Sequence, residues 1–192
     1  MQHMETHRVC PWWIGSLMAS PIRKLFDSPY KLLEPYVSEG MTVLEPGPGM
    51  GFFTLELARL VGASGRVIAV DVQSRMLDGL RRRALKAGIA DRLETRLASA
   101  DSLGVADLQG AVDFTAAIAV VHEMPSAERF FTEVARASKV GGRLLFLEPK
   151  GHVSEARFEA EFKAASDAGF QFVESPSGGR GHKALLRYAP LR

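Results

Sequence analysis

Residues 43–51 read Val43-Leu44-Glu45-Pro46-Gly47-Pro48-Gly49-Met50-Gly51, an apolar run that ends in a carboxylate and passes into three glycines at a spacing of two. The stretch predicts a strand over Met41 to Glu45 that turns sharply into a helix from about Gly51. Glycine permits positive φ and carries no Cβ, so the backbone can pass close to a ligand, and the N–H groups that open a helix suit an anionic group. A dinucleotide-binding loop uses the same devices with the spacing G-x-G-x-x-G. Here the spacing is G-x-G-x-G, and Glu45 stands two residues before the first glycine. A carboxylate there repels a pyrophosphate and welcomes an ammonium or sulfonium. An ordinary tight turn would also use glycines, so the loop has to be read with its surroundings.

Downstream, β-type apolar runs alternate with helical patterns, the signature of an α/β sheet with crossover helices. Arg66 to Asp71 is a continuous apolar run ending in an acid, as expected of a parallel strand covered on both faces. The helix after it carries Leu77, Leu80, Ala84 and Ala87 on one face and stops at Gly88. Arg92 to Ala98 alternates and suits a half-exposed edge strand. Val112 to Val120 and Gly142 to Glu148 are the fourth and fifth strands, separated by a helix after Pro125 that buries Phe130, Val134 and Ala137. A helix from Ser154 precedes a terminal hairpin, Phe170 to Ser175 and Lys183 to Tyr188, around Gly178, Gly179 and Gly181. Residues 1–40 stand apart as a short helical leader, with helices expected over Pro21 to Phe26 and Lys31 to Val37, and are read as a lid on a domain of residues 41–192.

Asp71 lies twenty residues beyond Gly51, at the end of the second strand, where an acid accepts hydrogen bonds from ribose hydroxyls. An adenosine ligand with a cationic amino-acid tail satisfies both acids. With these features in this order, residues 41–148 resemble the class I S-adenosylmethionine-dependent methyltransferases, in particular the type 11, ubiquinone/menaquinone-biosynthesis-like group. The resemblance implies a Rossmann-like, seven-stranded, mostly parallel sheet with the last strand antiparallel and helices on both faces. It implies S-adenosylmethionine as cofactor, with Glu45 toward the amino group, Gly47, Gly49 and Gly51 around the methionine part, and Asp71 with Val72 at the ribose. Ala100 and Asp101 fall in the loop that reaches the adenine, and Ala119 at the end of the fourth strand completes the set.

Ligands of such sheets bind outside the carboxyl ends of the strands, which brings His122, Glu123, Glu148, Lys150 and His152 to the methyl group's side. His122 is the candidate general base, its ordinary pKa being near 6.5; it could equally cap the helix that follows. Glu148 and Lys150 flank Pro149 and can pair with each other. Trp12 and Trp13 can line an apolar acceptor pocket together with His122, Glu148 and His152, or can bury against the sheet. Arg81-Arg82-Arg83 reads as a solvated helix face. No metal is expected, because His7, Cys10, His122 and His152 match no compact ligand spacing.

Over 192 residues, 24 Lys and Arg against 22 Asp and Glu leave a net charge of +2, a balance that argues against phosphate-driven nucleic-acid binding. The segment after the fourth strand, Ala119-Val120-Val121-His122-Glu123-Met124-Pro125, also lacks the Asn/Asp-Pro-Pro-Tyr type of tetrapeptide found in methyltransferases of adenine or glutamine nitrogen. The one cysteine, Cys10, excludes an intrachain disulfide and points to a reducing cytoplasm. The longest apolar stretch, Phe114 to Val121, is about half of the roughly 20 residues a membrane span needs. Val9 to Ile22 is interrupted by prolines and tryptophans and is read as part of the mature fold. The expectation is a cytoplasmic enzyme that methylates a small, apolar acceptor. Three rivals remain: a cofactor-binding subunit of a complex without catalysis, an RNA methyltransferase, and a nicotinamide-dependent oxidoreductase, against which the glycine spacing and Glu45 both count.

Overall fold

The computed structural model describes residues 28–177 and 181–190. The Trp12–Trp13 pair, the expected helix over Pro21 to Phe26, Cys10, and Gly178 with Gly179 lie outside them.

Alternating strand and helix signals produce one seven-stranded sheet in the order β3-β2-β1-β4-β5-β7-β6. The strands are β1 (Thr42–Pro46), β2 (Arg66–Asp71), β3 (Leu93–Leu97), β4 (Val112–Ile118), β5 (Ser138–Glu148), β6 (Phe170–Glu174) and β7 (His182–Tyr188). β1 pairs in parallel with β2 and β4, β2 with β3, and β4 with β5, whereas β7 runs antiparallel to both β5 and β6. The seven-stranded sheet with a reversed last strand is therefore as the family resemblance implies. The chain order reverses direction between β1 and β4, and a crevice opens at such a switch point.

Side-chain alternation along the strands feeds two cores. On one face Leu44, Ile68, Ala117, Leu144, Phe146 and Leu186 pack under α4 (Ala127–Ala137) and α5 (Glu155–Asp167). On the other, Val43, Val67, Ala69, Phe114, Ala116 and Leu185 pack under α2 (Thr54–Leu60) and α3 (Ser74–Lys86). Leu33 of the short α1 (Pro29–Leu33), with Tyr36 and Val37 just beyond it, joins this second core. α1 is capped by Ser28, whose hydroxyl accepts from the Lys31 N–H, with Pro29 in its first turn. Phe131 is the hub of the first core, edge-on to Phe130, Phe146 and Phe170.

Several details differ from the expected elements, among them the leader helix, which covers Pro29–Leu33 rather than Lys31 to Val37 because Ser28 and Pro29 open it earlier and only a turn follows Leu33. β5 begins at Ser138 rather than Gly142, because Val112 pairs with Ser138 while Phe114 already pairs with Arg143, and residues 139–141 bulge out of the ladder with even Val140 exposed. β4 ends at Ile118, since Ala119 turns into the left-handed region at φ 55°. Ala87 is exposed, because α3 closes at Lys86 and Gly88 reverses the chain at φ 68°.

Candidate active site

The carboxyl ends of β1, β2 and β4 open into a cleft of about 800 Å³ that runs from Gly47, Gly49 and Asp71 past Asp101 and Ala119 to His122 and His152. Its size falls within the range of cofactor and small-molecule sites, and Phe52, Phe53, Met76, Met124 and Phe130 give it apolar walls.

The three glycines of the loop do different work. At Gly47, φ 66°, an added Cβ would lie 2.6 Å from Val120 Cγ2, so β1 and the post-β4 turn can meet only without a side chain. Gly49, φ 55°, lines the cleft with open space before it, and its N–H donates to Asp71 Oδ2 at 3.3 Å. Gly51 does not line the cleft: an added Cβ would collide with Leu80, so this glycine lets α3 close against the loop.

Glu45 ends β1 beneath the loop, 4% exposed, and its Oε2 has no hydrogen-bond partner among the described residues. Burial pushes its carboxyl up to about 8, with a smaller downward pull from the Thr54 hydroxyl and an upward push from Asp71. Asp71 is also raised by burial, against the backbone N–H groups of Gln73, Gly49 and Val72. Its Oδ1 accepts from the Gln73 N–H at 2.8 Å, so the carboxylate is oriented by main chain at the cleft wall. Glu45 lies behind the loop rather than on the cleft wall, but its orphan carboxyl oxygen, the positive-φ turn of Gly47 and Gly49 and the oriented Asp71 fit the amino group, methionine chain and ribose of S-adenosylmethionine in turn. Val72, Ser99, Ala100, Asp101 and Ala119 line the same cleft.

On the far side of the switch point, His122 sits in a single 3-10 turn, Val121–Glu123. Its Nδ1 lies 2.5 Å from Glu148 Oε2. Burial lowers the His122 pKa, but the hydrogen bond and charge of Glu148, aided by Glu123, outweigh burial and the Arg157 charge, so it rises above its ordinary value. His152 faces His122 with ring centroids 6.0 Å apart. Glu148, grouped with the pocket residues on sequence grounds, does not reach the cleft: it is fully buried behind His122 and bonded to it rather than to Lys150. The helix beyond the turn is capped by Ser126, whose hydroxyl accepts from the Arg129 N–H at 3.1 Å, so His122 is not its cap. Trp12 and Trp13 lie outside the described residues. Among the described residues, no three His, Cys, Asp or Glu side chains come together as a metal site would require.

Sequence reading missed two arginines. Arg83 is no solvated side chain: it is half-buried and donates to the Met50 carbonyl at 2.6 Å, bracing the glycine loop from α3. Arg129, in the first turn of α4, reaches Asp101 Oδ1 at 3.3 Å across the cleft rim. Helical periodicity identifies the faces these residues occupy but not the distant carbonyl or acid that each one meets. The only available signal for Arg129 was its place three residues after the Ser126 cap.

Comparison with known proteins gives a consistent picture. Residues 37–185 match a family described as a methyltransferase domain. The ubiquinone/menaquinone biosynthesis C-methyltransferase UbiE of Hahella chejuensis is 30% identical over 135 residues, covering 70% of this chain and 53% of that protein. UbiE of Klebsiella pneumoniae is 34% identical over 112 residues, covering 58% of this chain and 44% of its own. The chain thus spans about half the length of these relatives. Among solved structures, a SAM-dependent methyltransferase from Aquifex aeolicus superposes with a TM-score of 0.83 at 23% identity, covering 94% of this chain and all of that one, which establishes the shared fold.

Proposed function

Because this chain belongs to the class I S-adenosylmethionine-dependent methyltransferases, we propose that it moves the cofactor's methyl group onto a small, apolar acceptor held beside His122. The observation that carries this reading is the cleft joining Gly47, Gly49 and Asp71 to His122, with Glu45 buried behind the loop, so that one cavity can hold two ligands end to end. Glu45 receives the cofactor's ammonium, the Gly47–Gly49 turn encloses its methionine chain, Asp71 takes the ribose hydroxyls, and Ala100 with Asp101 borders the adenine. When bound, S-adenosylmethionine supplies a sulfonium methyl as the electrophile.

The protein's own contribution is placement, with the acceptor fixed against apolar walls so that its attacking atom lies in line with the methyl carbon. His122 is the base for an acceptor that carries a proton. The C-methyltransferase relatives, named for ubiquinone and menaquinone biosynthesis, support a small-molecule acceptor. The balanced charge of the chain also favours such an acceptor over nucleic acid.

Calorimetric titration with S-adenosylhomocysteine, with NAD as control, tests the reading. Micromolar binding of the first alone is expected, and binding of NAD alone would overturn it.

A further inference from the structure

Glu148 is unusual among the buried acids of this protein, because everything it bonds belongs to one short turn. Its Oε1 accepts from the Val121 N–H at 2.8 Å and from the His122 N–H at 3.4 Å, and its Oε2 meets His122 Nδ1. Its side chain is fully buried, and the lone pairs that would otherwise be costly to desolvate are spent on His122 and its backbone. The turn is held from outside as well. Arg157 of α5 donates to the His122 carbonyl at 2.6 Å and to Glu161 Oε1 at 3.0 Å. His122 Nε2 has no partner among the described residues, and the ring, 14% exposed, lines the cleft.

Resting on the function proposed above, we propose that Glu148 is a positioning residue that holds the His122 imidazole in the tautomer with Nε2 free, and that this fits the site to acceptors that must lose a proton as they are methylated. A neutral imidazole that donates Nδ1–H to a carboxylate presents a lone pair at Nε2. In the transfer, the acceptor's atom forms its bond to the methyl carbon while that carbon's bond to sulfur breaks and sulfur keeps the pair. The acceptor's proton passes to Nε2. His122 becomes an imidazolium that Glu148 stabilises without taking the proton, and it releases the proton to water once the product leaves. Hydroxyl groups and activated ring carbons gain from this arrangement. Tertiary amines and thioethers have no proton to give and gain nothing.

The groups facing the ring are Glu148 and Glu123, which favour the imidazolium, Glu161 of α5, whose carboxyl also feels the His122 charge, Arg157, which opposes it, and His152. Their balance raises the His122 pKa, which strengthens it as a base.

Nitrogen-15 NMR titration of the histidines in the full chain, without ligand, tests the arrangement directly. The expected result is a neutral His122 protonated at Nδ1, with a pKa above about 6.5 that falls by about one unit or more in Glu148→Gln. With cofactor and an active acceptor, E148Q should lower kcat, leave the cofactor KM unchanged and move the acid limb of the pH profile downward with the pKa. An Nε2–H tautomer in the wild type, or a folded E148Q with an unmoved His122 pKa, overturns the proposal. Should E148Q fail to fold, the wild-type tautomer decides alone. Turnover confined to tertiary amines or thioethers overturns the acceptor clause. Failure of S-adenosylhomocysteine to bind removes the proposed function and the acceptor clause together, whereas binding accompanied by an Nε2–H tautomer removes the dyad alone.

Discussion

The two sides of the switch point treat buried charge in opposite ways. Beside β1 and β2, Glu45 is buried with one oxygen that no described residue satisfies, and burial raises both Glu45 and Asp71. Beside β4 and β5, Glu148 is buried more completely, yet each of its oxygens has a partner. Under the proposed function, the first side is completed by a ligand that brings its own positive charge. The second is finished before any ligand arrives, as a group that must hold a fixed geometry during chemistry has to be. The stability of the empty protein and its affinity for the cofactor should therefore respond to different residues.

The largest expected effect is on rate. Replacing His122 by Ala should lower turnover by about 10²–10⁴-fold, the usual worth of a positioned base, while S-adenosylhomocysteine affinity measured by calorimetry stays the same. A loss of affinity equal to the loss of rate would erase the division between the two sides. Next in size is a contrast in stability. Glu148→Ala strands the partners of a buried carboxylate and should cost about 3 kcal/mol in denaturant unfolding of the empty protein, whereas Glu45→Ala removes a carboxyl with one oxygen unsatisfied among the described residues and only the Thr54 hydroxyl beside it, and should cost less. Equal losses at both positions would show that Glu45 has a structural partner after all.

A comparable effect belongs to the cofactor side. Asp71→Ala should weaken S-adenosylhomocysteine binding by about 1.5–3 kcal/mol, the range for hydrogen bonds to a charged group, and unchanged affinity would remove Asp71 from the site. The most general effect is on pH dependence. Glu45, Asp71, Glu161 and His122 all have raised pKa values in the folded chain. Between the unfolded values and the folded ones, the native state holds protons that the unfolded chain has released, so stability falls as pH rises. Thermal unfolding of the empty protein should therefore show a midpoint that declines from about pH 4 toward pH 8, the window set at its upper end by Glu45 at about 8. Saturating S-adenosylhomocysteine should flatten the decline, because Glu45 ionises against the ammonium, and the ligand's affinity should rise with pH across the same window. A slope that ligand leaves unaltered would mean that Glu45 does not meet the ammonium.

What could be read from sequence follows from how each feature is encoded. β2 is covered on both faces, so Val67, Ile68, Ala69 and Val70 form an unbroken apolar run, and its limits at Arg66 and Asp71 agree with the structure. β3 pairs on one side only and alternates, which identified it as an edge. The glycine loop, Glu45 and Asp71 lie within one local strand-turn-helix-strand unit, and the fold of that unit was legible, although sequence could not tell that Gly51 and Glu45 stand behind the cleft wall. The His122 side was only half legible. His122 and Glu148 are 26 residues apart and meet because β4 and β5 are neighbours in the sheet, with Ile118 opposite Leu147. Sequence placed both at the same end of the sheet but could not tell a cleft-facing acid from a buried one, nor choose between His122 and Lys150 as the partner of Glu148. Arg83 was missed for a related reason, since a charged residue gives no periodic signal of what it touches, and the bulge after Ser138 because a single exposed Val140 between Lys139 and Gly141 makes no strand pattern.

Ala119 is the one non-glycine residue with positive φ among those described, and its N–H donates to the Leu147 carbonyl at 2.7 Å while its methyl borders the cleft. An L-residue in the left-handed region costs on the order of 1 kcal/mol that glycine would not. For protein engineering this makes position 119 a useful starting point. Ala119→Gly relieves the backbone and widens the cavity by one methyl in a single step. A directed-evolution library begun from that variant would seek bulkier acceptors from a parent that has gained tolerance for destabilising substitutions elsewhere in the cleft.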